Sequence, residues 1–334
     1  MDTFEPRPSL RDGHWMTLYS WGNPRYFPRL PPQSRRYFDV AAGTRVVAEC
    51  HWQEDRWQRP TLLALHGLNG SSDAHYMRGL AAKAFARGMN VVRLNQRNCG
   101  NSEHLSDGLF HSGLTADAAH VIHELTHVDG LKTVAVAGYS LGGNLALKLA
   151  GEYGPHPPQA LVGVAAVSPI IEIGECTRAL ERPDNRLYQW NFVRDLKRRM
   201  RRKDRFHSGT FDLSRLNAIR TVREFDEVYT APYFGFRNAE DYYHRASAMR
   251  VIDRVRVPAL VITAEDDPFV PSRPFHDSKI TANPRIDLRI STHGGHCGFI
   301  GPRAAEDDGY WAENRIVDFV SGIADCGLQI ADSR

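Results

Sequence analysis

An apolar, β-branched run, Thr133–Ala137, stops at Gly138 and is followed by Tyr139, Ser140, Leu141, Gly142 and Gly143, then by the helix-forming stretch Asn144–Ala150. Strand, sharp turn and helix in that order place a serine at the apex of a G-x-S-x-G pentapeptide. The tight turn leaves no room for side chains two positions before and two after the serine, which is where Gly138 and Gly142 stand. Such a turn lifts the serine hydroxyl above the edge of a sheet. It also aims the N–H of Leu141, at a helix N-terminus, toward whatever that hydroxyl attacks. Glycine-rich strand-to-helix turns also serve nucleotide-binding folds, so the pentapeptide needs the rest of the chain to decide its meaning.

Strands and helices alternate around this turn. Buried strands are expected at Thr61–Leu65, Asn90–Leu94, Leu161–Val167, Ala259–Thr263 and Ile286–Ile290. Helices are expected at Ala74–Arg87, Thr115–Val128 and Tyr310–Ile323. A hairpin of Tyr37–Val40 and Val46–Trp52 precedes them. Apolar strands alternating with helices predict an α/β fold built on a mostly parallel, eight-stranded sheet covered on both faces. The alternation lapses between Ser168 and Val257, which holds charged helical stretches such as Leu187–Lys203. The expected organisation is therefore an N-terminal arm over 1–34, a core of 35–167 and 258–334, and a helical cap over 168–257. The arm is expected to pack through Trp15, Trp21, Tyr26 and Phe27.

A serine hydroxyl needs a base, and the base needs an acid to orient it. Downstream of the elbow, the strand Ala259–Thr263 runs into Glu265–Asp266–Asp267–Pro268, so Asp267 is the candidate acid and Asp266 the alternative. After the next strand comes Thr292–His293–Gly294–Gly295–His296–Cys297–Gly298–Phe299, and His296 is the candidate base. A second N–H to hold a developing oxyanion is expected from Leu68, in the turn after Thr61–Leu65. His66 in that turn and His293 read as packing residues.

These motifs resemble the α/β-hydrolase superfamily, and within it the YheT-like group of esterases. The resemblance rests on His66–Ser71, Asn95–Gly100, His111–Asp117, Gly138–Gly143, Asp266–Phe269 and His293–Phe299, and spans about residues 35–325. One departure is Asn98, where glycine is expected. The resemblance implies carboxylester hydrolysis of an acyl substrate. The expected reaction is cleavage of short- to medium-chain carboxylic or thio esters by Ser140, His296 and Asp267. Acyl transfer by the same residues is the alternative, and a non-catalytic binding protein on the same fold is the weaker one.

Composition narrows the setting. A net charge of +3 is too small to imply nucleic acid. No apolar run approaches the ~20 residues that span a bilayer, and the residues after Met1 do not read as a signal peptide. Five dispersed cysteines (Cys50, Cys99, Cys176, Cys297, Cys326) point to reduced thiols and a cytoplasmic protein. No cofactor or metal is called for. His120, His123 and His127 share one predicted helix face but lack a fourth ligand. His207 and Asp212 echo an acyltransferase box without its context. Arg194–Arg205 carries eight basic residues and two acids. It reads as the solvated face of a cap helix, or as a contact with acidic lipid head groups or nucleic acid.

Overall fold

The computed structural model describes residues 3–28, 30–304 and 307–331, with side chains as far as residue 324. Eight strands form one sheet: β1 Ser34–Ala41, β2 Thr44–His51, β3 Thr61–Leu65, β4 Asn90–Asn95, β5 Val134–Tyr139, β6 Leu161–Val167, β7 Ala259–Ala264 and β8 Ile286–Ser291. Their order is β1-β2-β4-β3-β5-β6-β7-β8. The β1–β2 and β2–β4 pairs are antiparallel and the others parallel.

The sheet is buried on both faces because its strands are apolar at odd and even positions alike. Leu63, Leu65, Val134, Val136 and Val164 face one core, while Leu62, Ala64, Ala135, Ala137 and Ile262 face the other. The helices are α1 Gly13–Gly22, α2 His75–Ala86, α3 Ala116–His123, α4 Leu141–Tyr153, α5 Ile173–Leu180, α6 Arg186–Phe206, α7 Val222–Phe225, α8 Ala231–Tyr233, α9 Ala239–Ala246, α10 Ser278–Thr281 and α11 Trp311–Ala331. Met77 and Leu80 of α2 and Ile316 and Val320 of α11 cover one face, and Leu145 and Leu149 of α4 the other.

Two local expectations change. The helix expected over Thr115–Val128 is regular only to His123 and continues as a wider π turn, Glu124–Val128. The wider turn shifts the helical phase, and Val128 at its end is 73 % exposed while Leu125 is buried. In the arm, only some of the expected aromatics pack: Trp21 adjoins Tyr188 and Phe192 of α6. Trp15 and Tyr26 are 66 % and 88 % exposed, whereas Phe4, Leu10 and Met16 are buried. Asp12 caps α1 by accepting from Trp15 N at 2.9 Å. The helical period then turns Met16, Thr17 and Ser20 inward and Trp15 out.

Among the described residues, no strand lies between Val167 and Ala259, and no helix is long and apolar enough to cross a membrane. The segment between β6 and β7 carries α5 to α9. It closes over the sheet edge at which β5 ends, since Ile173, Leu180, Met200 and Phe225 share a cavity with Ser140.

Candidate active site

The turn after β5 is as tight as its sequence requires. A Cβ on Gly138 would lie 2.0 Å from the carbonyl oxygen of Gly142, and one on Gly142 would lie 2.3 Å from that of Leu65. Ser140 itself sits at φ +54°, ψ −115°. This backbone conformation costs a non-glycine residue about 1–3 kcal/mol and persists only where its surroundings enforce it. The enforcing contacts are Ser140 N donating to Val167 O (2.8 Å) and Ser140 O accepting from Asn144 N (3.0 Å). Asn144 also pins the start of α4, donating through Nδ2 to Ser112 O and Ala246 O and accepting from Ala248 N.

The adjacent aspartates after β7 point to different partners. Asp267 Oδ1 accepts from Phe269 N (3.1 Å) and Val270 N (2.9 Å), and its Oδ2 lies 2.8 Å from His296 Nδ1. The Asp267 side chain is fully buried. Asp266 instead accepts from Gly295 N at 2.8 Å and lies 3.5 Å from His293. Burial pushes the Asp266 carboxyl above its ordinary range. Thus Asp266 and His293 shape the loop that carries His296, and Asp267 touches the imidazole itself. Burial opposes the imidazolium form of His296, but the Asp267 carboxylate outweighs it and raises the pKa above the ordinary 6.5. The Phe269 ring packs on the imidazole at 4.1 Å.

Sequence reading missed one support of that loop. His296 N donates to the hydroxyl of Thr17 in α1 at 2.8 Å, and Thr17 Oγ1 donates in turn to Gly13 O at 2.7 Å. Gly13 is required here, because a Cβ would lie 1.9 Å from the Asp266 carbonyl oxygen. No sequence pattern links residues so far apart.

The turn after β3 is fixed by His66. Burial lowers its pKa to about 4, so the ring is neutral. Its Nδ1 bonds Gly67 O (2.8 Å), and its Nε2 accepts from Gln96 N (3.2 Å). Neither Leu68 N nor Leu141 N donates to a protein acceptor among the described residues. Both residues line the cavity that holds Ser140.

Two cavities meet at Ser140. The first, about 970 Å³, is mainly apolar, lined by Leu109, Ile173, Leu196, Met200, Phe225 and others. The second, about 1200 Å³, is more polar and includes Ser20, Asn69, Tyr76, Asn191 and His296. Ser140, Leu68, Phe192 and Phe269 belong to both. Ser140 and His296 thus share a cavity, with no direct hydrogen bond between them.

The remaining candidates fall elsewhere. His207 contacts Glu103 O, whereas Asp212 accepts from Ser214, so the two do not form a pair. His123 and His127 stack at 4.3 Å, and His120 faces Glu124. No three metal-ligating side chains converge among the described residues. Cys50, Cys99, Cys176 and Cys297 are unpaired thiols, while the Cys326 side chain lies outside the described residues. Asn98, the departure from glycine, has φ +62°, which asparagine tolerates better than most residues. Its amide also earns a role: Nδ2 donates to Gly108 O, and Oδ1 accepts from the buried ammonium of Lys203 at 2.8 Å.

Comparison with known proteins agrees with this fold. The family model for the alpha/beta hydrolase fold matches residues 60–301. The Escherichia coli protein named "Putative esterase YheT" is 35% identical over 324 residues, covering 95% of this chain and 93% of that protein. The Saccharomyces cerevisiae medium-chain fatty acid ethyl ester synthase/esterase 2 is 28% identical over 321 residues, covering 89% of this chain and 68% of its own length. The structure of the Pyrococcus furiosus esterase Pf2001 superposes with a TM-score of 0.59 at 14% identity, covering 89% of this chain and 96% of that one.

Proposed function

The chain belongs to the α/β-hydrolase family, and on that premise we propose that it hydrolyses carboxylic or thio esters of short- to medium-chain acyl groups through Ser140, His296 and Asp267. The observation that carries this reading is the 2.8 Å contact of His296 Nδ1 with Asp267 Oδ2, in a histidine that shares a cavity with a backbone-strained serine.

The proposed steps run as follows. His296 Nε2 takes the Ser140 proton as Oγ attacks the acyl carbon. Asp267 holds the proton on Nδ1 and stabilises the imidazolium that forms. The N–H groups of Leu68 and Leu141 receive the oxyanion, each such donor being worth about 10²–10³ in turnover. The tetrahedral intermediate collapses, and His296 gives its proton to the leaving alcohol or thiol. Water then attacks the acyl-enzyme by the same route and releases the acid. Before the first step His296 must close on Ser140, a tightening common when substrate binds.

The two cavities suggest how a substrate lies. The acyl chain enters the apolar cavity under the helical cap, residues 168–257, and the leaving group occupies the polar one beside α1. The test is turnover of p-nitrophenyl butyrate and octanoate by wild type and Ser140→Ala. A loss of about 10³-fold or more is expected, and equal rates would overturn the assignment.

Acyl transfer is the second reading. The polar cavity beside Ser140 offers hydroxyl and amide groups that could seat an alcohol in place of water. Ethyl or glyceryl esters formed in the presence of ethanol or glycerol would identify it.

A further inference from the structure

The basic run Arg194–Arg205 does not behave as one face. Arg202 pairs with Glu103, Lys203 is buried against Asn98, and Arg199 lines the cavity with Ser140. Residues 187, 190, 194, 198, 201 and 205 follow helical spacing along the opposite side of α6. There, Leu187 and Trp190 are 55 % and 58 % exposed.

Beside this outer face lies a third cavity, of about 1170 Å³, which includes neither Ser140 nor His296. Seven of its lining residues are cationic and one, Glu181, is acidic. Glu181 is already engaged by Arg223 at 2.9 Å. Asp195, outside the cavity, holds Arg194 and Arg198. Among the described residues the other five cations form no ion pair with a carboxylate, and the one carboxylate beside them, Glu224, accepts from Arg220 N at 2.6 Å. Three of them bond neutral oxygens: Lys197 reaches Asn217 O, Arg201 reaches Asn217 Oδ1, and Arg220 reaches Ile219 O. Burial and the like charges of Arg220 and Arg201 lower the pKa of Lys197. Unneutralised cations crowded in one concavity select an anion.

The apolar neighbours decide which anion. Trp190 lies under the Arg194 guanidinium at 4.8 Å. Trp21 of α1, also exposed, adjoins Tyr188 and Phe192 of the same helix at 6.3 and 6.5 Å. Trp21, Asn191 and Asp195 line the polar cavity that leads to Ser140. Cations next to exposed tryptophan and leucine on one helix form an interfacial pattern, in which apolar side chains enter the boundary while cations meet lipid phosphates. A nucleic acid would use the cations but gives Leu187 nothing to bury against.

We propose that the outer face of α6 docks this protein on an anionic lipid bilayer, with lipid phosphates in the basin lined by Arg186, Lys197, Arg201 and Arg220, and with Leu187 and Trp190 inserted at the interface. This docking is independent of the hydrolytic reading and brings the mouth of the polar cavity to the lipid surface.

The experiment is co-sedimentation of the full chain, carrying Ser140→Ala, with vesicles of phosphatidylcholine alone or with phosphatidylglycerol. Binding is expected only to the anionic vesicles. Arg186→Glu with Arg201→Glu should weaken it at least about tenfold, and Trp190→Ser should weaken it further. Arg186→Lys with Arg201→Lys should retain it. In the Ser140 background, the same charge reversals should leave turnover of a soluble p-nitrophenyl ester unchanged, which shows that they fold. Equal binding to neutral and anionic vesicles, or anionic binding unaffected by charge reversal, would overturn the proposal. So would retention on duplex DNA at a salt concentration that releases the vesicles. A failed hydrolytic reading would appear instead as wild-type turnover equal to that of Ser140→Ala.

Discussion

The backbone N–H of His296 donates to the hydroxyl of Thr17 at 2.8 Å across a sequence separation of 279 residues. The loop that carries the proposed base is therefore held by the N-terminal helix as well as by the β8 strand before it. Removing this acceptor should displace the imidazole without removing any reacting group.

Thr17→Val keeps the shape and loses the acceptor. It should lower kcat about 10- to 100-fold with little change in KM, as small misplacements of catalytic groups do. Thr17→Ser should recover most of the loss. Steady-state kinetics with a soluble ester, beside a thermal melt, separates displacement of the loop from unfolding.

Asp267→Asn should lower kcat by about 10³- to 10⁴-fold, because the amide no longer fixes the imidazole tautomer. The pH profile carries a second signature. His296 acts as a base only when neutral, so wild-type activity rises with pH through its folded pKa, which lies above 6.5. Without the carboxylate that raises it, the acidic limb should move to lower pH. Asp266→Asn leaves Asp267 on the ring and should cost about tenfold or less in kcat.

Two glycine substitutions should have opposite results. The Cβ of Gly142→Ala would stand 2.3 Å from the Leu65 carbonyl oxygen, and backbone cannot yield easily there. A cost of about 3 kcal/mol or more is expected, seen as insoluble protein or a much lower Tm. A Cβ at Gly22, near the end of α1, meets nothing within 4 Å. Gly22→Ala should leave stability unchanged or raise it by about 0.4–1 kcal/mol.

The ammonium of Lys203 donates to Asn98 Oδ1, Glu103 O and Ser106 O inside the protein. Lys203→Met should cost about 1–3 kcal/mol, since buried oxygens lose their donor. Burial lowers the Lys203 pKa from 10.5 to about 8. Between those values the unfolded chain keeps a proton that the folded chain releases, so the unfolded state binds more protons. Stability contributed at this site therefore rises with pH from about 8 to 10.5. Denaturant melts across that window should show wild type gaining on Lys203→Met.

The elbow and the strands were legible in the sequence because local sterics dictate them. Gly138 and Gly142 are demanded by contacts within a few residues and across one neighbouring strand. The paired aspartates were only half legible. Two consecutive side chains leave a strand end in different directions, and the choice between them lies in which loop N–H groups each one meets. For Asp267 these are Phe269 N and Val270 N, and for Asp266 it is Gly295 N. The arm was misread in part, because size suggested Trp15 and Tyr26 as anchors beside Trp21, which does adjoin Tyr188 and Phe192. The helical phase turns in Met16, Thr17 and Ser20, and the partners of Met16 and Thr17 lie more than 270 residues away, at Ile300 and His296. The basic run was read as one feature because composition does not record direction, and only the helix divides Lys203 and Arg199 from Lys197 and Arg201.

The bond between Thr17 and His296 also bears on when the protein becomes competent. On the ribosome Thr17 precedes His296 by 279 residues, and domains generally fold as units from the N-terminal side. Until those residues have been made, Thr17 lacks this partner, whatever else α1 packs against. A nascent chain can therefore form its elbow and much of its sheet while its serine still lacks an aligned base. On the proposed mechanism, reactivity arrives with the His296 loop, so a product stalled or cut before that loop carries a serine that is shaped but inert.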